Sequence, residues 1–176
     1  MSFYENAFAK SDKTDAILVV QGNKLHVNKA LLSYHSDYFN TLFNSEFKEK
    51  SMEEIPIEDV KLDDFATLLS LIHDKPLEVY KSSVENLLKL ADRFLLNTPK
   101  SLIVRIVKTS SEFSRYEKLI LADKYKLDDL LEYVLSMYYS KETYLDFWSE
   151  NLGEFSDSVK VKLFEKIIRN CRSVFS

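Results

Sequence analysis

Asp15-Ala16-Ile17-Leu18-Val19-Val20-Gln21-Gly22-Asn23-Lys24-Leu25-His26-Val27 is the stretch whose reading decides how this 176-residue chain folds. Ala16 to Val20 is a short apolar run rich in β-branched residues, which suits a buried strand. Gln21-Gly22-Asn23 is polar and contains a glycine, and beyond it Leu25 and Val27 alternate with His26 and Asn28. Two short strands flanking such a turn predict a β-hairpin. From Lys29 the period becomes helical: Leu31, Leu32, His35, Phe39, Leu42 and Phe43 recur at helix spacing, and Ser36 stands ready to cap a second short helix before Asp37-Tyr38-Phe39. Residues 44–54 read as a charged loop. Ile55 and Ile57 then alternate with Pro56 and Glu58, a third strand whose proline belongs at a sheet edge.

Everything after this strand reads as helical. Asp63 and Asp64 favour a helix N-terminus ahead of Phe65, Leu68, Leu69 and Ile72. Ser82-Ser83-Val84-Glu85 fits a capping box before Leu87, Leu88, Ala91, Phe94 and Leu95. Thr98-Pro99 predicts an N-cap followed by proline at the first helical position. Ser114 to Glu117 fits a second capping box, leading into Leu119, Ile120 and Ala122. Later helices carry Leu127, Leu130, Leu131, Val134, Leu135 and Tyr138, and then Val159, Leu163, Phe164, Ile167 and Ile168. Ser and Thr cluster near residues 109–113, so a weak boundary is expected there. The pattern is a small sheet with helices, followed by an all-helical tail.

Composition narrows the function. A 45% hydrophobic and 30% charged chain of this length reads as globular, with enough apolar material for a sizeable core. Gly22 and Gly153 are the only glycines, so neither a dinucleotide fingerprint nor a phosphate-binding loop can be written. One cysteine, Cys171, excludes an intrachain disulfide, and at the end of an amphipathic helix it reads as a small core residue. His26, His35 and His73 do not have metal-ligand spacing, and no acid–base pair stands out from the carboxylates. We therefore expect no catalytic, metal or cofactor site. A net charge of −4 gives no footprint for nucleic acid, and no apolar run approaches the ~20 residues that span a membrane. Residues 1–10 lack the basic region and apolar core of a secretory signal, so a cytoplasmic or nuclear location is expected.

The order of marks from Asp15 to Phe39 resembles the BTB/POZ domain. The residues that carry the likeness are Asp15, Leu18, Val19, Val20, Gly22, Val27, Lys29, Leu32, Ser36 and Phe39, with Ile55 to Val60, Phe65 and Leu90 to Phe94 further on. Residues 114–140, including Leu121 to Tyr125, look like the helical extension (3-box or BACK-like) that follows this domain in cullin adaptors. The strongest likeness is to MATH–BTB adaptors, although only residues 1–14 precede Asp15 and no MATH domain is expected ahead of it. The resemblance implies an α+β BTB/POZ fold, a small three-stranded sheet flanked by helices, over residues 1–110. A helical extension over residues 111–176 follows.

It also implies partners. In cullin-3-binding relatives the loop before the third strand carries an apolar residue, any residue, then Glu, and Phe47-Lys48-Glu49 fits eight positions before Ile55. By that likeness Phe47 inserts into a cleft on the cullin-3 N-terminal domain, Glu49 fixes the loop, and Tyr38 and Asn44 join the same surface. The alternative is that Phe47 folds back onto Leu42 and Phe43. The family's homodimer implies an interface with Phe3, Tyr4 and Phe8, and with Asp15 and Lys29 as a charged pair lining a pocket. Asp15 acting only as a turn cap is the other reading. Where the family has His, this chain has Asn28. The function implied is a non-enzymatic adaptor that recruits a protein substrate to a cullin-3 ubiquitin ligase. The alternative is a self-assembling scaffold or transcriptional co-regulator without cullin binding.

Overall fold

The computed structural model describes residues 3–44, 53–139 and 152–174. The chain divides into two compact units, Met1–Ile103 and Val104–Ser176.

In the first unit a short helix, α1 (Phe3–Ala7), precedes the hairpin of β1 (Ala16–Val20) and β2 (Asn23–Val27). The strands pair antiparallel from Ala16↔Val27 to Val20↔Asn23, so the turn is Gln21-Gly22 alone and Asn23 already belongs to β2. Gln21 and Gly22 have φ of 50° and 79°, the two positive angles of a type I′ turn. Nothing crowds the space a Gly22 side chain would occupy, so backbone conformation is what calls for glycine. Gln21 tolerates its angle while its Oε1 accepts the Leu62 amide at 3.2 Å. β3 (Glu54–Pro56) adds to β1 in parallel, giving the order β2-β1-β3 with Pro56 on an edge. Ala16, Leu18, Val20, Leu25, Val27 and Ile55 turn to the core, the alternation expected of a sheet with one covered face.

Five helices complete this part of the chain: α2 (Lys29–His35), α3 (Asp37–Asn44), α4 (Leu62–Ser70), α5 (Val84–Arg93) and α6 (Asn97–Thr109), the last of which ends in the second unit. Ser36 caps α3 as its position suggests. Its Oγ accepts the Phe39 amide at 3.1 Å and donates to the Phe94 carbonyl at 2.6 Å. Around that carbonyl the Phe94 ring meets Tyr38 at 5.0 Å, Phe39 at 5.8 Å and Phe65 at 5.1 Å, joining α3, α4 and the end of α5.

Two helix starts differ from the sequence reading. The box read from Ser82 to Glu85 makes Ser82 the cap, but Ser82 lies inside a 3₁₀ turn over Lys81–Ser83 and α5 starts only at Val84, with Ser83, at φ −94°, ψ −17°, itself helical. The Ser83 hydroxyl donates to the Tyr80 carbonyl, whereas a capping serine needs extended backbone. α6 begins at Asn97 rather than after Thr98, because Leu96 supplies the first accepting carbonyl, to Lys100 at 3.1 Å. Pro99 still lies in the first turn, where a missing N–H leaves no helical bond unmade. The reason for the early start is how α5 stops. Leu95 takes φ 52°, its amide bonds Asp92 O, and the Leu96 amide bonds Ala91 O, which is a Schellman motif with leucine in the usual glycine place.

The second unit holds α7 (Arg115–Lys124), α8 (Asp128–Ser136) and α9 (Asp157–Val174). The predicted capping box forms: Ser114 Oγ accepts the Glu117 amide, and Glu117 accepts that of Ser114. α7 ends in a second Schellman motif, with Lys126 at φ 51° and the Leu127 amide on Ala122 O. Lys118 is buried and donates to the carbonyls of Lys108 and Ser110, both at 2.9 Å, closing the C-terminus of α6. Val159 and Leu163 of α9 are buried, whereas Phe164 and Ile168 are about half exposed, so only part of the apolar face read from sequence points inward.

Asp123 ties α7 to the start of α9. Its carboxylate accepts the Ser156 amide at 2.6 Å and hydroxyl at 2.7 Å, and Lys126 Nζ at 3.0 Å. Burial alone would push this carboxyl up, but the bonds from Ser156 and the charge of Lys126 outweigh it and hold it below its ordinary value. A depressed folded-state pKa means stability that is present above the unfolded value and lost as pH falls through the folded one. We expect hydrogen-exchange protection in α9 to drop below about pH 4, and Asp123→Asn to flatten that dependence. An unchanged pH profile in the variant would show that the latch carries no proton linkage.

Candidate interaction site

The residues singled out for partner contact fall on two parts of the first unit. On α3, Tyr38 sits half-buried in the first turn, its ring edge-on to Phe94 and Phe39. Asn44 ends the helix, exposed, with its amide donating to the Asn40 carbonyl at 3.0 Å and side-chain oxygen at 2.8 Å. Six positions apart on a helix, these two side chains leave it ~120° from each other, so α3 does not bring them onto one face. Phe47 and Glu49 lie outside the described residues, and so does the alternative placement of Phe47 against Leu42 and Phe43. α3 itself is held firmly: Phe39 and Phe43 are buried and stacked at 5.8 Å.

The second group gathers around α1 and the hairpin. Phe3 opens α1, but its side chain lies outside the described residues. Tyr4 is half-buried and its carbonyl accepts the Phe8 amide at 3.0 Å. Phe8 is 2% exposed and packs at 5.3 Å on His73, so its ring serves the interior of its own unit. Its carbonyl accepts the His26 amide, which fastens the N-terminal segment to the outer edge of β2. Burial pushes His73 below its ordinary pKa, against the opposing pull of Asp74.

Asp15 and Lys29 do meet, but through the backbone. Asp15 Oδ1 accepts the Lys29 amide at 2.7 Å, while the Lys29 ammonium lies 5.8 Å over the Phe43 ring. Asp15 therefore satisfies one of the first amides of α2. Asn28 satisfies another, accepting the Leu31 amide at 2.8 Å, and its own amide donates to Lys13 O at 2.7 Å. The sequence reading treated Asn28 only as a departure; an Asn directly before a helical run is itself an N-cap signal. Among the described residues no group of three or more His, Cys, Asp or Glu could hold a metal ion, and no helix is long and apolar enough to cross a membrane.

Comparison with known proteins then settles the kinship. The sequence model of the BTB/POZ domain matches residues 4–111. The chain belongs to the BTB/POZ family. BTB/POZ domains are interaction modules rather than catalysts. Among curated relatives, the BTB/POZ domain-containing protein Y57A10B.3 of Caenorhabditis elegans is 34% identical over 163 residues, covering 92% of this chain and 52% of that protein. The BTB and MATH domain-containing protein 36 of the same organism is 34% identical over 137 residues, 76% of this chain and 42% of the relative. The chain thus spans about half the length of the curated relatives it matches. The BTB domain of human Gigaxonin aligns over 60% of this chain and 94% of its own, at 22% identity and a TM-score of 0.47.

Proposed function

We propose that this chain is the docking half of an adaptor that brings a protein substrate to a cullin-3 ubiquitin ligase, acting as a homodimer through its BTB/POZ unit. The observation that carries this reading is the extent of the likeness. The family match ends at residue 111, yet the likeness to the BTB/POZ relative runs over 92% of the chain and so includes the C-terminal helices. Likeness to a protein named for BTB and MATH domains supports a partner-holding module joined to a substrate-holding one. A homodimer would add avidity by presenting two substrate sites at once.

In this reading Phe47 is the anchor. The Phe47-Lys48-Glu49 motif follows α3 in sequence, and α3 is fixed by the Ser36 cap and the Phe94 ring cluster. Aromatic anchors that enter a partner's cleft dominate many interfaces, and truncating one costs at least ~2 kcal/mol. Isothermal titration of this chain with the cullin-3 N-terminal domain is expected to give saturable binding. Phe47→Ala should weaken that binding by about 30-fold without changing the unfolding midpoint, and Glu49→Ala should weaken it less. No heat from a well-folded sample would sink the ligase reading and leave a self-assembling scaffold. Loss of stability in Phe47→Ala would place the ring in the core instead.

A further inference from the structure

α5 stops on a residue that its own backbone disfavours. Leu95 holds φ 52° at the position where this kind of stop usually has glycine, because a left-handed residue brings its β-carbon against the backbone. Its side chain is also 50% exposed. The apolar contact that closes such a stop falls to the next residue, Leu96, which is fully buried. The stop of α7 makes the contrast. Lys126 has nearly the same angle, φ 51°, but its ammonium bonds the Asp123 carboxylate at 3.0 Å. Leu95 is strained and half exposed at once, and a leucine has no polar group to bond with. A backbone outlier whose side chain does little for its own unit is a reason to look for a partner.

The stop lies along the start of α3. An antiparallel bridge between Ser36 and Leu96 sets the two segments side by side. Across that joint Tyr38 meets Phe94 edge-on at 5.0 Å, and His35 Nδ1 lies 3.3 Å from Thr98 Oγ1. Tyr38 is half-buried there, and α3 leads on in sequence to Phe47-Lys48-Glu49. One helix thus connects the exposed leucine to the motif that the adaptor reading makes its anchor.

We propose that Leu95 is a second apolar contact for the cullin-3 N-terminal domain, an assignment that rests on the adaptor reading above. The partner takes from water the half of the side chain that the fold leaves exposed. Glycine would hold the same backbone with less strain and give the partner nothing to cover.

The test pairs two substitutions that suit a left-handed residue, Leu95→Gly and Leu95→Asn. Titration calorimetry of the full chain with the cullin-3 N-terminal domain should show about tenfold weaker binding for each. The unfolding midpoint should stay unchanged or rise, so affinity and stability part company. A lower midpoint in both variants overturns the proposal, since the leucine would then serve the fold. Wild-type affinity in both, with Phe47→Ala still weakening the complex, overturns the role of Leu95 and leaves the adaptor reading standing. No heat from the well-folded wild type sinks both together.

Discussion

Phe94→Ala is expected to destabilise the first unit by about 3–5 kcal/mol, the largest effect of any single truncation considered. Phe94 has no exposed surface and touches the rings of Tyr38, Phe39 and Phe65, while Arg93 covers it at 5.1 Å. Removing the ring takes away buried apolar area and leaves a cavity that three separate helices would have to close together. The Phe94 carbonyl also anchors Ser36, so collapse around the cavity would disturb the α3 cap. Natural domains hold only about 5–15 kcal/mol in reserve, so the variant should lie near the edge of folding. Urea unfolding followed by hydrogen exchange of α3 and α5 amides would measure it. Phe94→Leu keeps part of the volume and should retain a folded, weakened unit in which the loss is still readable. A loss below about 1 kcal/mol, the range of ordinary surface or volume-conserving changes, would mean that the ring cluster is not a unit.

The second large effect is expected in the other unit. Lys118 is 4% exposed, and burial pushes its ammonium below the ordinary lysine value. It stays because its Nζ donates to Lys108 O and Ser110 O and lies 5.8 Å over the Tyr133 ring. Lys118→Ala removes charge-assisted bonds worth about 1.5–3 kcal/mol, leaves the end of α6 without those donors, and deletes the packed stem as well. We expect a loss of about 3 kcal/mol in all. Lys118→Met restores the stem without the donor and should lose less; the difference isolates packing from hydrogen bonding. Exchange protection of α7 and α8 amides is the readout. Equal loss in both variants would assign the whole effect to the missing bonds, and no loss in either would refute the account.

Much of this was legible in the residues, and the exceptions have local causes. The hairpin followed from period-two alternation around a glycine turn, and Ser36 and Ser114 capped where their positions implied. Ser82 matched the same pattern, but a 3₁₀ turn over Lys81–Ser83 takes it up and α5 starts at Val84, one residue later than the box implied. The start of α6 was misplaced because Thr98-Pro99 is a strong local signal. The Schellman stop of α5 has no glycine to announce it; Leu95 fills the position against its own preference. The Asp15–Lys29 pairing was implied by the family likeness alone, and a likeness cannot tell an ammonium from an amide.

The sheet order has a consequence for how the chain reaches its native state. β1 is the central strand, paired on one side with its immediate successor and on the other with β3, which arrives only after α2 and α3. The hairpin needs only a two-residue closure and can form within about 1–10 microseconds. The parallel pair must close a loop that contains two helices, so its entropy cost comes before any reward. Until then the β1 edge, with Ile17, Leu18 and Val19, lies open on a chain still being ordered. During synthesis that edge emerges well before the strand that covers it. Substitutions that weaken β3, three residues long, should therefore raise aggregation during expression more than they lower the stability of protein that has already folded.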